Sequence, residues 1–554
     1  MTQHQSEFPV AGPELDADWW RGAVIYQIYP RSFQDDNGDG IGDLPGITRR
    51  LSYVASLGVD AIWLSPFFTS PMADMGYDVS DYCGVDPMFG TLADFDALLE
   101  EAHRLGLKVI IDQVLSHSSD QHPWFKESRS SRDNAKADWY VWADAQPDGT
   151  APNNWLSVFG GPSWEWDGIR KQYYLHNFLA SQPDLNFHNA DVQDALLDTV
   201  RFWLDRGVDG FRLDTVNFYF HDADLRSNPP AQGANGGIGA DAPDVNPYGM
   251  QQHLYSKTRP ENLEFLERFR ALLDEYEGRT SVGEVGASDA LRIVSEYTEP
   301  GRLHMCYTFD LLSPDFSADH FRRSVEAFES TVKGGWVCWA FSNHDVIRHL
   351  SRWIMPGEDR RNLARFAITF LSCLRGSLCL YQGEELALDE AELAFEDLTD
   401  PYGIRFWPAY KGRDGCRTPM VWDQDLPAGG FSTGKPWLPV TPTHQAAAVK
   451  GQEADAASVL HHYRAQIAFR KAERALIDGT IRFLDSDGDV LAFLRETPEE
   501  TLLCVFNFGR KAAEFAVSDD VTLTPVSLPH FGAKPSDARI ALGPLDAMCA
   551  RVAR

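Results

Sequence analysis

Residues 108–114 read KVIIDQV, and residues 210–216 read GFRLDTV. Each is a short, mostly apolar run rich in branched and aromatic side chains, with an aspartate near its C-terminal end. Such a run fits a strand buried on both faces, as in a parallel sheet. Six more runs share the short, mostly apolar character: 24–30 (VIYQIYP), 61–66 (AIWLSP), 280–285 (TSVGEV), 306–310 (CYTFD), 336–343 (WVCWAFSN) and 377–382 (SLCLYQ). Helical periodicity fills most of the intervals, most clearly at 92–105 (LADFDALLEEAHRL) and 195–204 (ALLDTVRFWL). Eight strands alternating with helices predict an α/β fold, a (β/α)₈ TIM barrel.

Two stretches depart from that alternation. About 95 residues separate the third and fourth runs, and much of that length is rich in Trp, Pro, Asn, Ser and Gly, as in PNNWLSVFGGPSWEWDG. This predicts an inserted subdomain over 117–184. Residues 383–442 read as loop. From 478 the pattern changes to short alternating runs such as DVLAFLR and LLCVFNF, which predicts a sandwich-like, all-β C-terminal domain over 478–554. The barrel is left with 1–116 and 185–477.

The chain has 554 residues with 81 acidic against 50 basic side chains, a formal charge of −31. That balance disfavours nucleic acid and anionic membranes as partners and suits a neutral small molecule. No apolar run reaches the roughly 20 residues a membrane span needs. The first residues, MTQHQSEFPVAGPELDADWW, lack a basic-then-apolar signal pattern, so a cytoplasmic location is expected. The eight cysteines are scattered, mostly inside apolar runs, without metal-ligand spacing. Buried free thiols are expected.

Catalytic groups of such barrels lie at the C-terminal ends of the strands. Those ends carry Asp112 and His117, Arg212 and Asp214, Glu284, and Asn343, His344 and Asp345. Carboxylates from several strands converging beside an arginine suit glycoside hydrolysis, which needs one ionised carboxylate and one protonated acid on opposite sides of the bond.

The segments DQVLSH, QPDLNF, GFRLDTVN, GEV and FSNHD, in that order, resemble the signature segments of the α-amylase family, glycoside hydrolase family 13, in its α-glucosidase and oligo-1,6-glucosidase branch. The resemblance implies a retaining, exo-acting enzyme that releases terminal α-1,4-linked glucose from maltose and short α-glucosides. By it, Asp214 is the nucleophile, Glu284 the general acid/base, and Asp345 a transition-state stabiliser. Arg212 orients Asp214. His117 and His344 bond sugar hydroxyls, and Tyr77 and Asp78 (MGYDVSDY) stack on and grip the glucose. Arg413 (GRDGCRTPM) closes the pocket, unless it only anchors its loop. Phe159 and Phe178 are pocket walls or plain packing. Thr215, followed by Val216, resembles α-1,4-preferring members. Oligo-1,6-glucosidases, sugar isomerases and glucosyltransferases share the scaffold and the covalent intermediate, so hydrolysis and transglucosylation are not separated by these residues. The long loop after the fourth run (221–249) is expected to restrict the pocket to short substrates.

Asp35, Asn37, Asp39 and Asp43 lie in DDNGDGIGDL. Oxygen ligands at alternate positions among glycines suit Ca²⁺. The twelfth position is Gly46 rather than Glu, and the segment follows a strand, so an EF-hand is not expected. The family resemblance implies a structural Ca²⁺ (or Mg²⁺) here, with the carbonyl of Ile41 completing the set; a metal-free acidic turn is the alternative.

Overall fold

The computed structural model describes residues 17–231, 245–517, 521–536 and 539–553. Eight parallel strands share one sheet: β1 (Val24–Ile28), β2 (Ala61–Leu64), β3 (Lys108–Gln113), β4 (Gly210–Leu213), β5 (Thr280–Val285), β6 (Met305–Thr308), β7 (Cys338–Ala340) and β8 (Ser377–Tyr381). Their order is β6-β5-β4-β3-β2-β1-β8-β7. A parallel bridge between Cys306 and Val337 joins the two ends and closes the barrel. Seven of the expected runs contain their strand; the sixth begins one residue earlier, at Met305. The runs overshoot mainly at their C-terminal ends, because residues there leave the ladder to form the rim.

Alternation along each strand decides which side chains face inward. Ile25, Ala61, Trp63, Ile110, Val282, Met305, Tyr307, Cys338 and Cys379 pack together inside the barrel. Their neighbours Val24, Tyr26, Ile62, Val109, Ile111, Phe211 and Leu213 join the larger core outside, against the helices. Two residues beyond Ile110 comes Asp112, and two beyond Val282 comes Glu284. Arg212 sits between the outward pair Phe211 and Leu213. The same period therefore turns these charged groups inward at the C-terminal end.

Helix boundaries follow their caps. The helix Leu92–Arg104 opens with a capping box between Thr91 and Asp94. The helix Ala190–Asp205 begins five residues before the periodic run, where the Asn189 side chain accepts the N–H of Asp191.

The inserted segment leaves and rejoins the barrel at an antiparallel bridge between His117 and Asp184. It holds a three-stranded sheet of Trp142–Ala143, Trp164–Asp167 and Gln172–Leu175. From Thr480 onward a five-stranded and a three-stranded antiparallel sheet follow. The five-stranded sheet includes β9 (Thr501–Asn507) and β10 (Asp546–Ala553), which pair with each other. Aromatic rings tie it to the barrel helices: Phe370 meets Phe506 at 5.2 Å, and Phe366 meets Phe508 at 4.9 Å. Among the described residues no helix is long and apolar enough to cross a membrane.

Candidate active site

Arg212 is the centre of the rim. Its guanidinium is buried and reaches three carboxylates: Nη1 lies 2.8 Å from Asp112 Oδ1 and 2.6 Å from Asp214 Oδ1, and Nη2 lies 2.7 Å from Glu284 Oε1. The Tyr307 hydroxyl accepts from Nη2 at 2.7 Å and donates to Glu284 Oε1 at 2.8 Å. The second oxygen of Glu284 accepts the backbone N–H of Thr215 at 3.0 Å, and the Thr215 hydroxyl donates to Asp214 Oδ2 at 3.2 Å. Thr215 holds a φ of +41°. That is a costly conformation for a β-branched residue, of a kind that concentrates at functional sites.

Above this floor opens a pocket of about 840 Å³, open solvent included. Asp214, Glu284, Asp345, Thr215, Tyr77, His117, Phe159, Phe178 and Arg413, all named from the sequence, line it. Three other named residues do not. Arg212 lies beneath the floor. His344 is fully buried under Tyr77, its ring stacked on the phenol at 5.4 Å. Its Nδ1 takes Gln27 at 2.7 Å, and its Nε2 meets the Tyr77 hydroxyl. Asp78 is also fully buried and faces away, accepting from the Ser70 hydroxyl and from the N–H groups of Ala73 and Asp74. The expectation that Asp78 grips a sugar is corrected here: its oxygens hold the 70–78 turn, and that turn presents Asp74 to the pocket instead.

Asp74 stands three residues before Tyr77 in the same short segment, so the segment was legible though its pointing residue was not. Tyr307 and Phe309, on and after β6, carried no motif. Nor did Asn246, Tyr248, Tyr402 and Tyr410, which also line the pocket, Tyr248 from the 3-10 turn Pro247–Met250 and Tyr402 from the short helix Pro401–Phe406. Of the loop expected to restrict the pocket, 232–244 lies outside the described residues, while Asn246 and Tyr248 line the mouth.

Arg413 sits where the rim closes. Nη2 lies 2.8 Å from Asp74 and 2.7 Å from Asp400, and Nη1 lies 3.3 Å from Asp345. Its guanidinium stands 5.1 Å from the ring of Phe159, a cation–π distance. Arg417 reaches Asp345 at 2.8 Å. So Arg413 both lines the pocket and anchors its loop; the two expectations for it are not exclusive.

These surroundings split the carboxylates. Burial lifts Asp214 and Glu284, each to about 7, against the pull of Arg212; neighbouring carboxylates add to the lift. Burial also works against charge on Asp345, but His344, Arg413 and Arg417 outweigh it and hold that carboxyl well below the usual range. Burial keeps His344 (about 3) and His117 (about 4) neutral at pH 7, so the two guanidiniums carry the effect on Asp345.

The acidic loop 35–43 lies after β1. The Asp35 carboxylate accepts from the N–H groups of Gly38 and Gly40, and Asp43 accepts from Asp36, Asn37 and Gly46. Both acids are buried. Burial raises Asp43, and the nearby charge of Asp35 raises it further. Among the described residues neither carboxylate has a Lys or Arg partner.

Known proteins resemble this chain along almost its whole length. Residues 27–479 match the family model described as α-amylase, catalytic domain, and residues 481–547 match the maltogenic amylase C-terminal domain. A probable α-glucosidase of Rhizobium meliloti is 61% identical, covering 93% of both chains. An oligo-1,6-glucosidase of Parageobacillus thermoglucosidasius is 37% identical, covering 92% of this chain and 93% of that one. The crystal structure of an α-glucosyl transfer enzyme, XgtA, superposes with a TM-score of 0.93 at 56% identity over 97% of this chain and 99% of the other.

Removing Arg413 would strand Asp74 and Asp400 in buried positions. Breaking a buried ion pair from one side costs about 3–5 kcal/mol. R413A should therefore lower the thermal midpoint measured by calorimetry, and R413K should recover only part of the loss because an ammonium cannot fork between partners. An unchanged midpoint in R413A would show that these bridges do not stabilise the fold.

Proposed function

The chain belongs to the α-amylase family, and from that premise we propose that it is a retaining, exo-acting α-glucosidase that takes single glucose units from maltose and short α-1,4-glucosides. One observation carries the reading: a pocket whose floor holds Asp214 and Glu284 on one guanidinium, and whose rim is tied by Arg413 to Asp74 and Asp345. Two carboxylates sharing one cation stand close together, as a retaining pair must. A pocket tied at its rim admits a chain end rather than a chain middle, which also argues against an endo-acting starch enzyme.

In the assigned mechanism Asp214 attacks the anomeric carbon while Glu284 gives its proton to the departing glycosidic oxygen. The bond to the leaving group breaks as the glucosyl–Asp214 ester forms. Glu284, now ionised, takes a proton from water; the hydroxide oxygen bonds to the anomeric carbon and Asp214 leaves. Asp345, held ionised by Arg413 and Arg417, offers negative charge to the oxocarbenium-like transition state. Neutral His117 and Tyr77, with Asp74, are placed to meet the hydroxyls and face of the bound glucose. Phe159 and Phe178 form apolar wall. Thr215 lines the pocket beside Asp214, and we assign it to the border of the aglycone, in line with an α-1,4 preference.

A second reading has its own support. A sugar hydroxyl in place of water would give glucosyl transfer, and the mouth carries acceptor-sized apolar surface from Tyr248, Phe309 and Val346. The strongly negative chain suits cytoplasmic work on neutral sugars.

Timed product analysis on maltose and isomaltose in parallel tests the specificity. Rapid glucose release from maltose with little from isomaltose is expected. Fast isomaltose cleavage, or a new disaccharide in place of glucose, would overturn the linkage or the hydrolytic assignment.

The pH profile tests the acid/base pair. Asp214 and Glu284 must hold one proton between them, and they titrate as a unit. At low pH a second proton neutralises Asp214; at high pH the last proton leaves Glu284. Activity should form a bell around neutrality. E284Q should lose the alkaline limb yet still release fluoride from α-glucosyl fluoride in the first turnover, since fluoride leaves without a proton. An alkaline limb that persists in E284Q would place the acid elsewhere.

The 35–43 loop fits a divalent cation. Asp35 and Asp43, both buried and neither paired with a cation, together with Asn37, Asp39 and the Ile41 carbonyl, offer all-oxygen donors of the kind Ca²⁺ takes, although the carboxylates of Asp35, Asp39 and Asp43 do not already converge on one point. We assign these residues a structural Ca²⁺, with Mg²⁺ as substitute. Exhaustive chelation should lower the thermal midpoint, and added Ca²⁺ should restore it; a midpoint indifferent to both would leave a metal-free turn.

A further inference from the structure

Three cysteines distant in sequence meet where the barrel joins the C-terminal sheets. Cys373 ends the helix Arg360–Cys373, Cys504 lies on β9, and Cys549 lies opposite it on β10. All three are fully buried and free. The sulfur of Cys549 is 3.7 Å from that of Cys373 and 3.7 Å from that of Cys504, and all three lie within 4.8 Å of one another. A metal ion about 2.3 Å from each of three thiolates holds them about 4 Å apart. Among the described residues no other group of three acid, His or Cys ligand atoms converges this closely.

The charge around the cluster is the second, independent observation. Arg470 and Arg495 are both fully buried. Every hydrogen bond of Arg470 goes to a carbonyl, of Gly22, Ser372, Leu374 and Gly376. Those of Arg495 go to the carbonyls of Thr480, Cys373, Leu476 and Gly479. Among the described residues neither guanidinium is paired with a carboxylate. Buried cations with no ion-pair partner are costly: burial works against charge on both arginines, while Cys373 favours it on both and Cys504 on Arg495; Asp60 and Glu329 also favour it, on Arg470 and Arg495 in turn, but these acids are ion-paired with Lys471 and Arg375. Three thiolates around one monovalent metal carry a charge of −2, which matches the two guanidiniums.

We propose that Cys373, Cys504 and Cys549 form a trigonal thiolate site for one soft monovalent cation of the copper(I) class, which clips the barrel to the C-terminal domain. On binding, each thiol that is still protonated releases its proton as its sulfur lone pair is donated to the metal; no electron is transferred. Soft thiolate sets select such ions. Among the described residues no fourth acid, His or Cys ligand atom joins the three sulfurs, so the site offers trigonal rather than tetrahedral coordination.

The test uses the full chain, produced in copper-supplemented cells and purified without oxygen. The same chain, stripped and reduced, is then titrated with copper(I) against a chromophoric competitor. One copper per chain is expected, with X-ray absorption showing three sulfurs at about 2.3 Å, and a higher thermal midpoint on loading. C83S, which alters the one cysteine that is not buried, should keep the metal. C549S and C504A should lose at least nine-tenths of it while still hydrolysing maltose, which serves as the check of folding. Less than one-tenth of a copper per chain, retention in C549S, loss in C83S, a copper shell with fewer than three sulfurs, or a disulfide found by mass in the chain as isolated would each overturn the proposal. The absorption spectrum reads the parent protein directly, so the answer stands even if a variant misfolds.

Discussion

A buried guanidinium holding several carboxylates is the constraint on which this molecule turns. Arg212 lies at the bottom of the rim, in contact with Asp112, Asp214 and Glu284, and Tyr307 completes its ring of partners. Three negative charges around one positive charge, in a place largely closed to water, cannot all persist. At least one proton must stay among them at neutral pH, and that requirement is what a general acid beside a nucleophile needs. The barrel supplies the geometry at no local cost, because strand alternation turns the arginine, both its neighbours' acids and the tyrosine inward from adjacent strands. Around them the electrostatics divide: the floor, with one cation among three acids, favours protons, whereas the wall, where Arg413 and Arg417 flank Asp345, favours charge. Acids of similar intrinsic strength are thereby given different tasks by environment alone.

The barrel was legible because buried parallel strands leave a strong and repeated mark. The runs at 108–114, 210–216 and 280–285 are apolar enough to be strands and end in residues too polar for a core, so fold and rim could be read from the same letters. The C-terminal sheets showed in alternation such as DVLAFLR. Less legible was anything placed by irregular backbone. MGYDVSDY announces a loop at the rim, but a turn has no period, and so nothing in it says that Asp74 rather than Asp78 points at the pocket. His344 belongs to a motif at a strand end, yet lies under the floor because Tyr77 covers it. Tyr402 and Tyr410 arrive from a segment that reads only as loop. The three cysteines were read one at a time, as core residues, which each of them is; their meeting depends on how a helix end packs against two strands more than 130 positions away.

Strain and stability are unevenly distributed in this arrangement. Thr215 sits in a left-handed conformation disfavoured for its shape, and it is held there by contacts to both Asp214 and Glu284. Aromatic packing against the C-terminal sheet and the cap-defined helices have no such cost. The scaffold can therefore hold a conformation at the rim that an isolated loop would abandon.

One feature of the barrel bears on how the chain is made. β1 pairs with β2 on one side and with β8 on the other, and β8 lies about 350 residues further along. At roughly 5–20 residues per second, a ribosome needs roughly 18–70 s to deliver that partner. Throughout that interval the first strand of the nascent chain presents an open apolar edge, the feature that invites pairing with the wrong neighbour. Yield in cells should then be governed by what shields that edge during translation more than by the stability of the finished barrel.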